Sequence, residues 1–350
     1  MVEGGNGMAE LSHSDTRPTL RKKNKFSHFL KEWQLYILIL LPVIYLIIFK
    51  YIPMIGNIIA FRRFVPGGSI FGEEWVGFYY FEMFLSDPTF YKVFTNTLIL
   101  AFLLLVVTFP APIIFALLLN ELKNHLFKRF VQTASYLPHF FSVVVVAGMA
   151  YELLALNGPV NSFIANLGFD KISFMQMPEW FRTIFVSVDL WQGLGWGAIL
   201  YLAALTGINE ELYEAARIDG ANRWKQTIHI TIPGILPTIV VLLILNIGNF
   251  LQIGFEKVLL LYNPLTYETA DIIATYVYRV GLQSGSFSYG TAIGLFESII
   301  GLILVTGANY VSRRITDNSL WGSVKSSMKI HTKIKTLTIL SEEMRPPSLL

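Results

Sequence analysis

The chain has 350 residues, 53% of them hydrophobic and 15% charged, with a mean hydropathy of +0.53 and a formal net charge of +3. That balance is too apolar and too sparsely charged for an ordinary soluble domain, and several runs reach the roughly 20 apolar residues that cross a bilayer as a helix. Cysteine is absent, which excludes disulfides, cysteine-based zinc sites and cysteine-ligated clusters.

Residues from Met1 to about Leu20 are rich in Gly, Ser and Thr without apolar periodicity and read as a disordered tail. Phe26 to Glu32 reads as a short amphipathic helix, giving a tail over 1–32. The basic stretch runs straight into a full-length apolar segment with no small-residue cleavage site, so no cleavable signal peptide is expected. Spans are predicted at Trp33 to Phe49, Leu98 to Leu119, Leu137 to Leu156, Ile184 to Leu205, Ile235 to Phe250 and Ala292 to Val311. Leu251 to Phe255 can extend the fifth. Pro42, Pro110 and Pro112 fall inside spans, where neighbouring helices can satisfy the freed carbonyls.

Between the spans, Phe64-Val65-Pro66-Gly67-Gly68 is a turn signal, and the aromatics from Trp75 to Phe84 read as interfacial belt residues. Asn157 to Arg182 is turn-rich. Ala270 to Leu282 is amphipathic and too polar to span, and is expected to lie along the interface. Residues 322–350 form a polar tail.

Orientation follows from Lys and Arg. Arg21-Lys22-Lys23, Lys25, Lys31, Lys123, Lys128-Arg129, Arg217, Arg223, Lys225 and Arg313-Arg314 all fall on one side of six spans. The other side holds Lys50, Arg62, Arg63, Lys92, Lys171, Arg182, Lys257 and Arg279. The positive-inside rule places both termini in the cytoplasm.

The loop between the fourth and fifth spans, 206–233, is charged and helix-forming. Asn209 is a plausible N-cap with Glu210 and Glu211 in the first turn. The helix continues through Glu214-Ala215-Ala216-Arg217-Ile218-Asp219, and Gly220 ends it by permitting a left-handed backbone. Asn222 then caps a second short helix that Pro233 is expected to terminate. The result is a compact knob; the plainer alternative is an ordinary amphipathic loop.

No Gly-Lys-Ser/Thr phosphate cradle, His-Glu-x-x-His helix or nucleophile elbow occurs, and the six His residues are scattered, each reading as surface or interfacial. Neither catalysis, a bound metal nor a nucleic-acid partner is expected. Polar residues inside spans are more telling, because lipid makes them costly. Asp189, Gln192, Gly193 and Trp196 share one face of the fourth span at three- and four-residue spacing. Asn246, Asn249 and Phe250 share a face of the fifth. Carboxylate and amide groups beside an aromatic ring could seat a sugar; equally, such groups glue helices together while glycines allow close approach. Glu297, beside Gly294 and Gly301, is open to the same two readings, and Gly290-x-x-x-Gly294 is a small-residue packing motif.

The segment Glu214-Ala215-Ala216, Gly220 and, after nine residues, Ile230-Thr231-Ile232-Pro233 resembles the EAA motif of bacterial ABC-importer permeases, departing at Ile232, where Leu is usual. From about Trp33 to Trp321 the chain resembles carbohydrate-importer permeases of the maltose-type branch, in the lipoprotein-associated polysaccharide-permease group. Phe49-Lys50-Tyr51-Ile52-Pro53-Met54, Leu137-Pro138-His139-Phe140, Gly158-Pro159-Val160-Asn161 and, above all, Gly254 to Pro264 with Tyr267 to Asp271 carry that resemblance.

The resemblance implies an all-α integral membrane fold, with six transmembrane helices and a type I importer core at 33–321. It implies uptake of an oligosaccharide or polysaccharide across the bacterial inner membrane. It also implies a second homologous permease, two copies of an ABC ATPase that bind ATP and magnesium, and an extracytoplasmic sugar-binding protein; no cofactor is expected on this chain. Glu214, Ala215, Ala216, Asp219 and Gly220 then couple to the ATPase, and Asp189, Gln192, Gly193, Trp196, Asn246, Asn249 and Phe250 contact the sugar. Should the sugar be acidic, Arg62, Arg63, Lys171, Arg182, Lys257 and Arg279 are outer counter-charges. The rivals are an ABC permease for a non-sugar solute and a proton-coupled transporter using Asp189 or Glu297.

Overall fold

The computed structural model describes residues 33–316 apart from Gln252. The tails expected at 1–32 and 322–350, and the end of the permease domain expected at Trp321, lie outside the described residues. The chain divides into two units, one ending at Gly56 and the other beginning at Asn57. In the first, α1 (Trp33–Leu46) carries Pro42 inside it and exposes all of its large hydrophobic side chains. Such a surface is sustainable only in an apolar medium.

The second unit is a helical bundle with one two-residue hairpin, β1 (Arg62–Arg63) antiparallel to β2 (Glu74–Trp75). Its helices are α2 (Tyr79–Ser86), α3 (Pro88–Leu103), α4 (Pro110–Glu121), α5 (His125–Tyr136), α6 (Val143–Leu154), α7 (Pro159–Asn166) and α8 (Pro178–Leu205). After them come α9 (Glu210–Ile218), α10 (Arg223–Gln226), α11 (Ile232–Gly248), α12 (Phe255–Leu261), α13 (Ile273–Val277) and α14 (Phe287–Thr316), with a single helical turn at Tyr267–Ala270 between α12 and α13. Six helical stretches among the described residues are long and apolar enough to cross a membrane: Trp33–Phe61, Pro88–Glu121, Val143–Asn166, Pro178–Leu205, Arg223–Gly248 and Phe287–Gly307.

Prolines shape these crossings. Pro53, Pro110 and Pro233 each sit two residues beyond a π-helical turn, at Ile47–Tyr51, Leu104–Thr108 and Thr227–Thr231. Proline lacks an amide and its ring presses on the carbonyl one turn earlier; a locally widened turn absorbs both effects without breaking the helix. Pro233 therefore opens α11 instead of terminating the second loop helix, and Arg223–Gly248 runs as one helical stretch.

Three other expectations are corrected. The third span does not begin its regular helix at Leu137: a 3-10 turn over Leu137–Phe140, with Pro138 in it, separates α5 from α6. The fifth is not extended by Leu251 to Phe255, because α11 stops at Gly248 and α12 starts after Gly254. The Ala270 to Leu282 stretch does not lie on the interface. Ala270, Ile272, Ile273 and Thr275 are buried in the bundle, where the amide of Ile273 donates to Thr97 of α3 at 3.0 Å. Its apolar face is spent on neighbouring helices.

The helix α8 is the central post, packing against α4, α5, α6 and α11. One core cluster gathers Leu100, Ala147, Phe181, Phe185, Ile253, Val258 and Leu261; a second surrounds Phe84, which is fully buried and so leaves the aromatic belt expected for Trp75 to Phe84. A third joins Ala116, Ala198, Tyr201, Leu205 and Ile235 near the end of the bundle that carries α9, the knob end. The opposite end is the cap end.

Candidate functional site

The knob is built by its caps. Asn209 accepts from the Glu211 amide at 3.0 Å to start α9. Gly220 has φ +74°; its amide donates to the Arg217 carbonyl at 3.1 Å while the Ala221 amide reaches back to the Ala216 carbonyl at 2.8 Å. This pair of bonds is a Schellman closure, and only glycine takes its left-handed position without strain. Asn222 accepts from the Lys225 amide at 2.9 Å and starts α10 at once. The elbow is tied to the body by Arg223 to Glu121 at 2.6 Å and by the Tyr213 and Thr231 hydroxyls at 3.0 Å. Glu214, Ala215, Asp219 and Gly220 are exposed and Ala216 is half-buried. Ile218 and Trp224 are also exposed. The sequence reading places Ile218 in the loop helix but gives neither it nor Trp224 a role, although their type and place were readable there.

At mid-height the seven expected ligand residues divide. Along one stripe of α8, Gln192 is 8% exposed and its amide donates to the Phe141 carbonyl at 3.1 Å. Gly195 lies so close to the Ser135 backbone that a Cβ would collide with it. Trp196 stacks on His139 with centroids 4.4 Å apart and planes 3° from parallel, yet stays 48% exposed. These contacts set the turn between α5 and α6 beside the middle of α8. His139 is exposed, in keeping with a surface or interfacial histidine, and it forms an aromatic platform with Trp196 and Phe140.

Along the adjacent stripe, Asp189, Gly193 and Gly197 line a cavity of about 210 Å³ with Thr108, Pro112 and Asn246. A Cβ at Gly193 would meet nothing within 4 Å, so this glycine leaves space open and is not closed against a helix. Asp189 pairs with Lys257 of α12 at 2.5 Å. Asn246 and Asn249 are exposed, and their amides donate only to carbonyls one turn back, Leu242 at 3.0 Å and Leu245 at 3.2 Å. Phe250 instead packs on the first core cluster. A second cavity, of about 570 Å³, lies between the α11–α12 break and α14 and is lined by Glu297, Gly248, Gly254 and Phe255. The proposed packing pair Gly290 and Gly294 also separates: Gly290 abuts the Gly281 Cα, whereas Gly294 meets nothing.

At the cap end the polar groups are consumed by one another. Asp271 forms a two-point pair with Arg279, at 2.5 and 3.2 Å, and accepts from Thr275 at 2.9 Å. Burial pulls the Arg279 guanidinium down, but the hydrogen bonds and charge of Asp271 outweigh it and hold the group above its ordinary range. Burial, then hydrogen bonds with Tyr289 and Asp87, push the Tyr276 phenol up. Asn96 donates to the Glu268 and Asp271 carbonyls and accepts from Arg182 at 2.9 Å. The cations expected on the outer side are engaged as well: Lys171 with Asn157, Arg62 with the Glu73 carbonyl and Arg63 with Glu74.

Residues 108–317 match the family described as binding-protein-dependent transport system inner membrane component. Over 291 residues the chain is 46% identical to protein LplB of Bacillus subtilis (strain 168), covering 83% of this chain and 91% of that protein. It is 45% identical over 302 residues to the polygalacturonan/rhamnogalacturonan transport system permease protein YteP of the same organism, covering 86% and 94%. Among solved structures, it superposes with a TM-score of 0.79 and 42% identity on a chain of a bacterial alginate ABC transporter in complex with an alginate pentasaccharide-bound periplasmic protein. That match covers 84% of this chain and 99% of the other.

Proposed function

The chain belongs to the family of inner membrane components of binding-protein-dependent transport systems, and on that premise we propose that it forms half of a path for oligosaccharides. The saccharide is of the uronate-containing kind named for YteP and for the alginate importer. One observation carries this reading: two helix breaks converge on one polar stretch of α8. The turn between α5 and α6 meets α8 at Gln192 and Trp196. The break between α11 and α12 is bracketed by Asn246, which shares a cavity with Asp189 and Gly193, and by Lys257, which pairs with Asp189. Irregular backbone at membrane depth is tolerated where it is buried or lines a cavity, and discontinuous helices mark substrate sites in transporters.

In this reading Trp196 and His139 offer a ring platform to the apolar face of a pyranose. Asn246, Asn249 and Asp189 offer hydrogen-bonding groups to its hydroxyls, and Gly193 leaves the room. Gln192 and Phe250 hold the helices that frame the site. The knob from Glu214 to Gly220, with Ile218 and Trp224, docks on an ABC ATPase, two copies of which bind ATP and magnesium. A second permease supplies the other half of the path and an extracytoplasmic binding protein delivers the sugar. The excess of Lys and Arg puts the knob and both termini in the cytoplasm of a bacterial inner membrane. Closing the ATPase dimer moves the stiff elbow as a body, and the bundle alternates between two states that bind sugar differently.

The test is uptake into vesicles holding the assembled importer. Transport should require ATP and the binding protein, and Gly220→Val should abolish sugar-stimulated ATP hydrolysis while the complex still inserts. Uptake that persists without the ATPase, or normal stimulated hydrolysis in the variant, would contradict the assignment.

A further inference from the structure

Asp189 is the one carboxylate among the described residues that line the mid-height cavity. Its partner does not come from the same helix or from the cavity wall. Lys257 lies in the first turn of α12, past the break that ends α11, and reaches Asp189 across 68 positions of sequence. Lys257 is 11% exposed and Asp189 32%, so the cation is the more sheltered partner and the carboxylate the one that looks into the cavity. The neighbouring Glu256 is exposed and bonds to neither.

From this geometry we infer that the Asp189–Lys257 pair sets the charge selectivity of the path, with Lys257 as the specificity-determining residue for acidic saccharides. The inference rests on the saccharide reading of this same site. A bare carboxylate at the cavity wall would repel a uronate, since like charges a few ångströms apart in a half-wet site disfavour one another strongly. A bare ammonium would hold a polyanion too tightly, and passage requires a site weak enough to leave. The pair avoids both. Its net charge is zero, and a sugar carboxylate that approaches can share the Lys257 ammonium as Asp189 gives way. Because the pair also joins α12 to α8, the exchange takes place where the broken fifth crossing is fastened to the central post.

The experiment uses the whole importer complex in lipid nanodiscs without its binding protein. Trigalacturonate and its fully methyl-esterified, neutral counterpart are titrated by calorimetry, and the ratio of their affinities is the readout. Lys257→Gln should lower the acid-to-ester ratio and Asp189→Asn should raise it, each by about tenfold or more, the size of a neighbouring unit charge acting on a carboxylate. Should K257Q fail to assemble, D189N against D189N/K257Q reads the ammonium alone, and the ratio should fall on removing it. An unchanged ratio across the variants, or a shift of both single variants in one direction, would overturn the selectivity role while leaving the saccharide site standing. If the unaltered complex binds neither sugar, the saccharide reading falls and this inference with it.

Discussion

The cap end and the mid-height of the bundle use the same polar residue types in opposite ways. At the cap, Asn96, Asp271, Thr275 and Arg279 bond to one another and to carbonyls of distant segments, and Asp271 is 2% exposed. At mid-height, Asn246 and Asn249 bond only to their own helix, and Asp189 faces a cavity. The cap groups spend their bonds on one another and on nearby carbonyls, whereas the mid-height groups are held in place with most of their bonding capacity unspent. A polar residue in a transporter is informative about substrate only after its protein partners have been counted.

The sharpest way to break this contrast is at the cap. Arg279→Leu would strand a buried Asp271 carboxylate, and breaking one side of a buried pair costs about 3–5 kcal/mol. The purified chain should lose thermal stability by a large margin, or fail to accumulate, and any folded remainder should keep its sugar half-saturation. A variant of normal stability would show that the cap network is not structural.

At mid-height the expected effects are smaller and differ in kind between neighbours. Gln192→Ala leaves the Phe141 carbonyl unbonded and should lower stability by about 1–3 kcal/mol with half-saturation unchanged. Trp196→Ala removes a side chain that is already half exposed, so stability should change little while half-saturation for the oligosaccharide rises. Asn246→Ala should weaken binding by about tenfold at most, the value of one net hydrogen bond. Transport against sugar concentration, with the binding protein saturating, separates the two classes. If Gln192→Ala raises half-saturation and Trp196→Ala does not, the division of the α8 face is wrong.

Much of this was legible beforehand. Six crossings and the capped elbow follow from apolar length, Asn209, Gly220 and Asn222, because composition and caps are local signals. The breaks were not. Leu251 and Ile253 are as apolar as the helix before them and both are buried, so hydropathy continues where the backbone stops. Once the break at Gly248 to Gly254 is missed, Lys257 is read as an outer cation, although the chain folds back and carries it to Asp189. The pairing of His139 was not legible for a related reason: its partner Trp196 lies 57 positions away, and the turn that contains Pro138 sets the two rings together. Pro233 misled in the other direction, since the π-helical turn before it lets the helix pass through.

The central claim is that the open stripe of α8 is wetted and occupied by sugar, and one substitution reads it directly. The chain has no cysteine, and a Cβ at Gly193 meets no atom within 4 Å, so Gly193→Cys places a single thiol at the cavity without strain. In the assembled importer, a water-soluble thiol reagent should label this chain, as read by its mass, and trigalacturonate should slow that labelling several-fold. A thiol that never reacts, or one that reacts at the same rate with and without the sugar, would contradict the account.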